Sequence, residues 1–291
     1  MANSTGKYFH LAGLISLIGH SSDFGMEWHD ALTPIAPNFT LIDKAVLECA
    51  VVGCETIWII CNDDMTPLLR YRLGDWVYDP VWQHRTATPQ YYQERKEIPI
   101  FYIPTHPDDL DRRDCMGWGV LYGARTASAI SRQISKWTEP HVFFVSFPYG
   151  LYDYESLRKQ REVISSHQRI ALKHKDETVW NNDYLSFTFK KEDLEGLIRD
   201  FKEKSVNLFK EGKKIPLSQR YSGRHFSLNG TFEKLKEEVY KLIEVDWYYS
   251  INGWESYRTY LQSNFGSALQ KPLYQTLKYN EFNRIPIMKE E

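Results

Sequence analysis

The chain has 291 residues, 42% of them hydrophobic and 25% charged, with a formal net charge of −2. That length buries a sizeable core without staples. The balanced charge argues against a strong general attraction to nucleic acid or to an anionic membrane, so neither is expected as a partner. No apolar run approaches the length that crosses a bilayer, and the opening MANSTGKYFH lacks the apolar core of a signal peptide. Cys49, Cys54, Cys61 and Cys115 make no CxxC pair and no zinc spacing. They are expected to be reduced and buried, in a cytosolic compartment. Aromatic residues reach 15%, which is read first as packing surface.

Residues 9–18, FHLAGLISLI, predict a buried strand. The polar stretch Gly19 to Asp30 follows. Leu41, Ile42, Ala45, Val46, Cys49 and Ala50 then recur at helical spacing, and Gly53 stops that helix. ETIWIIC (55–61) predicts a second strand. Strand, loop, helix and strand make a βαβ unit, which builds parallel sheets with helices on the faces. The pattern repeats through IPIFYI (98–103), a helix carrying Val120, Gly123, Ala127, Ile130, Ile134 and Trp137, and HVFFVSF (141–147). YLSFTF (184–189) alternates and is a candidate further strand. From about 190 the composition turns helical. Leu194, Leu197, Ile198, Phe201, Leu208 and Phe209 mark one amphipathic helix, and Phe232, Leu235, Val239, Leu242 and Ile243 mark another. The expected division is an α/β domain over 1–195 and a helical C-terminal extension over 196–291.

In open α/β sheets ligands bind at the carboxyl ends of the strands, so the loops 19–34, 61–67, 104–119 and 147–155 are the places to search. Leu32-Thr33-Pro34-Ile35, Phe39-Thr40-Leu41-Ile42-Asp43, Gly53-Cys54-Glu55-Thr56-Ile57 and the segment Met116 to Ala124 stand in a fixed order. That ordered set resembles the sugar-1-phosphate nucleotidyltransferases over roughly residues 9–190. The resemblance implies a mostly parallel mixed sheet with helices on both faces. It implies a nucleoside triphosphate and a sugar phosphate as partners, with Mg²⁺ as cofactor. The chain's general character also resembles that of bacteriophage-encoded proteins.

Carried onto this sequence, the family's glycine-rich phosphate loop falls on Gly19, His20, Ser21, Ser22 and Asp23, and its second glycine segment on Gly117 and Gly119. The departures fall on the chemistry. Asp23 stands near the place of the family's arginine, and Asp30 at that of its lysine, so two cations become two anions where a triphosphate develops charge. Compensating cations are expected from Arg112, Arg113, Lys44 and Arg125, in that order. The family's metal-binding acid has no counterpart in Ser146-Phe147-Pro148, which leaves Asp153 and Asp183 as candidate metal ligands. His20 and His29 flank the loop and are read first as hydrogen-bonded loop histidines. Asp108, Asp109, Asp111 and Asp114 beside Arg112 and Arg113 are read first as a solvated charged loop. Two functions remain in view: nucleotidyl transfer to a sugar phosphate, and a binding or structural module that keeps the fold without the chemistry.

Overall fold

A computed structural model describes residues 9–19, 24–81, 96–110, 113, 115–134, 139–205, 209–210, 213–214 and 227–272. His20, Ser21, Ser22, Asp23, Asp111, Arg112, Asp114, Trp137 and Leu208 lie outside the described residues.

The first buried run forms β1 (Leu11–Ser16), followed by the hairpin strands β2 (Pro34–Ala36) and β3 (Phe39–Thr40). Helix α1 (Leu41–Val52) starts at a capping box, in which the Asp43 carboxylate accepts from the Thr40 backbone N–H at 2.9 Å and its hydroxyl at 2.7 Å. It stops at Gly53, whose φ of 96° is a left-handed conformation that suits glycine. Next come β4 (Thr56–Cys61), α2 (Thr66–Leu73), β5 (Trp76–Tyr78) and β6 (Glu97–Pro104). The short α3 (Pro107–Leu110) precedes the long α4 (Met116–Ile134), then β7 (Val142–Val145) and β8 (Gly150–Leu151). Helix α5 (Arg161–Ile164), β9 (Ile170–Lys173), β10 (Phe187–Lys190) and α6 (Lys191–Ser205) follow. A small ribbon, β11 (Phe209–Lys210) with β12 (Lys213–Lys214), leads toward α7 (Leu228–Phe232), β13 (Lys241–Glu244), β14 (Tyr249–Ser250) and α8 (Trp254–Gln262).

Among the described residues, eight strands form one sheet in the order β13-β9-β10-β7-β1-β4-β6-β5. The central four, β7, β1, β4 and β6, are parallel. β10 is antiparallel to both β7 and β9, and β13 is parallel to β9, so only β10 and β5 run against the rest. The sheet is therefore mixed and mostly parallel, as expected. The chain moves from β1 to β4 through α1 in one direction and returns from β6 to β7 through α4. With right-handed crossovers these helices cover opposite faces. Contacts agree: Gly13 of β1 abuts Cys49 of α1, whereas the neighbouring Leu14 and Ser16 face glycines of α4. All four cysteines are free and buried.

Two expected elements are corrected. The helix read from Leu194 to Phe209 ends at Ser205, and Phe209 instead pairs in β11, while Leu208 lies outside the described residues. The helix read over Phe232 to Ile243 is instead α7, a 3₁₀ turn over Glu233–Glu237 and the edge strand β13. Phe232 and Leu235 do enter the core, but Val239 is 91% and Leu242 51% exposed. Pairing with β9 decides the outcome, and β9 lies far away in sequence.

Candidate functional site at the carboxyl ends of the central strands

Two of the expected loops meet at one corner. After β1 the chain turns at Gly19 with φ of 66°. A β-carbon there would lie 2.2 Å from the Cys115 α-carbon, so only glycine fits. Cys115 immediately precedes the 19-residue α4. The start of the signature loop is thus pressed against the end of a long helix where backbone N–H groups point outward and the helix dipole is positive. His29 holds the far side of the loop. Its Nδ1 accepts from the Ala31 N–H at 3.2 Å, which leaves the proton on Nε2, 2.9 Å from the Leu17 carbonyl. His29 is therefore a structural brace.

Beside the corner, Arg113 donates to the Asp109 carboxylate at 3.0 Å and lies over the Trp118 ring at 4.7 Å. The indole N–H of Trp118 donates to the other oxygen of Asp109 at 3.0 Å. The described part of this loop is thus a packed ion pair against an aromatic wall. Arg113 keeps a side-chain exposure of 24%.

The second glycine segment has a packing role. A β-carbon on Gly117 would meet the Thr231 hydroxyl of α7 at 2.3 Å, and one on Gly119 would meet the Ser16 hydroxyl at 2.1 Å. The chain itself fills the space over both glycines. Ser16 Oγ is buried and has no hydrogen-bond partner among the described residues.

Lys44, expected as a compensating cation, lies in the core at 0% exposure. Its ammonium donates to Glu48 at 2.7 Å and sits 3.9 Å from the centroid of the Tyr152 ring. Glu48 also accepts from the Ser146 hydroxyl at 2.7 Å and from Tyr152, which contacts the Ser186 hydroxyl at 2.7 Å. Burial pulls the lysine below its ordinary value, while the Glu48 carboxylate opposes that shift. The charge of Lys44 serves this buried network and not the loop. Arg125, on α4, is exposed.

The candidate metal ligands stand apart in role. Asp153 accepts from the Glu155 N–H at 3.1 Å and caps the 3₁₀ turn Tyr154–Gln160. Asp183 has its carboxyl raised to about 6, first by burial and then by Glu177, against a hydrogen bond from Tyr248. Among the described residues no group of three or more His, Cys, Asp and Glu side chains could hold a metal ion.

The C-terminal region reaches the site in a way that local sequence does not signal. Phe24, at the far end of the signature loop, is buried edge-on to Trp254 at 5.1 Å and to Tyr257 at 5.9 Å, both on α8. The Trp254 indole donates to the Phe24 carbonyl at 2.9 Å, and the Tyr257 hydroxyl donates to the Pro34 carbonyl. Only the aromatic richness of the chain hinted at such contacts.

No family model and no curated protein sequence matches the chain. Solved structures do. Rv0371c from Mycobacterium tuberculosis H37Rv matches with a TM-score of 0.50 at 10% identity, over 88% of this chain and 99% of that one. A protein assigned as a glucose-1-phosphate thymidylyltransferase from Bacillus anthracis, solved with sucrose, matches at 0.53 and 10% identity, over 88% and 98%. UDP-glucose pyrophosphorylase, solved with UDP-glucose, matches at 0.52 and 12% identity, over 86% and 96%. At such identities the likeness shows the fold, which is that of the nucleotidyltransferases.

Proposed function

We propose that this chain binds a nucleoside triphosphate and transfers its nucleotidyl group to a sugar phosphate. The triphosphate would sit where the Gly19 turn abuts the start of α4. The observation that carries this reading is that contact, because it joins a glycine turn to the N-terminus of a 19-residue helix, an arrangement suited to phosphate. A phosphate oxygen of the acceptor attacks the α-phosphorus in line. The bond to the β-phosphate oxygen breaks and pyrophosphate leaves. The protein's part is positioning and charge neutralisation. Arg113 is the described cation beside the corner, and Arg112 adjoins it in sequence. For Arg113 to serve, it must share its guanidinium between Asp109 and the phosphates.

The fold neighbours support the reaction class through their names alone. A second reading, a binding module without turnover, is favoured by one specific observation: the charge of Lys44 is committed to Glu48.

The test is pyrophosphate release from each nucleoside triphosphate across a panel of sugar phosphates, beside thermal shifts with nucleotide. The expected result is turnover that Arg113→Ala lowers by about a hundredfold, on the order of 3 kcal/mol at the transition state. A thermal shift without pyrophosphate would establish the second reading. Neither signal with any nucleotide would refute both.

A further inference from the structure

Two thiols meet at the C-terminal end of α1. Gly53 donates its N–H to the Ala50 carbonyl at 3.2 Å, and the Cys54 N–H reaches back to the Cys49 carbonyl at 3.0 Å. This pair of bonds is a Schellman closure, which carries the residue after the glycine back over the last turn of the helix, where an apolar pair usually meets. Here the pair is Cys49 and Cys54, both fully buried. Their sulfurs converge on Gly13 of β1: a β-carbon there would stand 2.8 Å from Cys49 Sγ and 3.2 Å from Cys54 Sγ. The bare backbone of Gly13 leaves the space that the two sulfurs fill. Burial, with a hydrogen bond shared between the two thiols, pushes the Cys49 thiol well above its ordinary range. The other cysteines are engaged elsewhere, Cys61 with the Thr66 hydroxyl and Cys115 with the Trp118 N–H, each at 3.4 Å.

We propose that Cys49 and Cys54 are a reversible oxidation site, which a peroxide converts to a disulfide tying the end of α1 to the approach to β4. The helix closure carries this inference. A disulfide needs α-carbons roughly 4.4–6.8 Å apart, and a backbone hydrogen bond between the same two residues holds theirs close. In the first step one sulfur attacks a peroxide oxygen and the O–O bond breaks. Water leaves with the thiol proton, and the sulfur becomes a sulfenic acid. The second sulfur then attacks the sulfenic sulfur. An S–S bond forms, the S–O bond breaks, and a second water leaves with the other thiol proton. Two thiols are oxidised and one peroxide is reduced. A buried, protonated thiol makes the first step slow, whereas the sulfur already in contact makes the second fast. The site does not depend on the proposed nucleotide corner.

The test treats the folded full chain with hydrogen peroxide, which is small enough to enter a buried site. The reaction is then quenched with an alkylating agent in denaturant, and the protein is weighed intact and as peptides. The expected result is the loss of two hydrogens, mapped to a bond between Cys49 and Cys54 and restored by dithiothreitol, with Cys61 and Cys115 alkylated. Because the bond closes a short loop in the unfolded chain, the oxidised protein should melt about 5 °C higher than the reduced one. Cys49→Ala and Cys54→Ala should each abolish the bond and the rise in melting temperature, whereas Cys61→Ala should oxidise as the parent does. Four alkylated thiols after treatment, oxygen added at Cys49 or Cys54 without a bond, a bond to Cys61 or Cys115, or a melting temperature lowered by oxidation would each overturn the proposal. Nucleotide binding at the corner has no part in these readouts.

Discussion

Replacing Lys44 by Met tests whether that lysine is structural or serves a ligand. Lys44 and Glu48 are both fully buried one helical turn apart, and the carboxylate gathers Lys44, Ser146 and Tyr152 around it. Lys44→Met keeps the length of the stem but leaves a buried carboxylate with two hydroxyl donors and no counter-charge. Removing one partner of a buried pair costs about 3–5 kcal/mol, because the remaining charge is uncompensated. At roughly 2–4 °C per kcal/mol for a chain of this size class, the melting temperature should fall by about 6–20 °C. Adding Glu48→Gln removes the stranded charge while keeping an acceptor for Ser146 and Tyr152, so the double variant should recover much of the loss. Urea unfolding read by tryptophan fluorescence measures both, with nine Trp as reporters. A single-variant cost below about 1 kcal/mol would refute the buried-pair argument, as would a double variant no better than Lys44→Met. The double variant also separates the two roles of Lys44. Any nucleotide affinity should survive in it, whereas a lysine acting on phosphate would make binding collapse in a stable protein.

The raised carboxyl of Asp183 gives a pH signature. Its folded value of about 6 lies above the ordinary 3.8, so its contribution is full below pH 3.8 and is lost as pH rises through 6. Asp183→Asn should flatten stability between those values and stabilise the protein at neutral pH, as chemical unfolding across a pH series would show. Gly117→Ala should destabilise by clashing with Thr231, and Thr231→Gly should be less damaging in that background than in the parent, since both the Thr231 hydroxyl and its β-carbon crowd the site. A strictly additive double-mutant cycle in thermal unfolding would refute that contact. Trp254→Phe keeps an aromatic ring but loses the bond to the Phe24 carbonyl, so it should cost about 1 kcal/mol in the same assay.

The frame of the fold was legible because its signals are local. The runs 9–18, 55–61, 98–103 and 141–147 each contain or overlap a central strand, and α1 begins and ends on its own Thr40, Asp43 and Gly53. β13 was misread because five apolar residues over one short stretch satisfy a helix pattern, while the partner that makes it a strand is β9. The same limit governs the site. The spacing of Lys44 and Glu48 permits an ion pair, but its burial depends on Ser146 and Tyr152, about a hundred residues away. Gly117 and Gly119 were singled out by resemblance as glycines facing a nucleotide or sugar. What approaches them is the chain's own Thr231 and Ser16, which spacing alone does not identify.

The placement of β13 has a consequence for how the protein is made. β9 and β10 form a hairpin-like pair once residue 190 has been synthesised, but the outer edge of β9 finds its parallel neighbour only when residues 241–244 emerge. Parallel pairing across such a separation is slow, because loop closure must be paid for before contacts form. Until then the backbone of Ile170 to Lys173 is an open edge next to buried side chains, a template for pairing with other nascent chains. Yield in the cell should therefore depend more on temperature and chaperone supply than the stability of the finished protein would suggest.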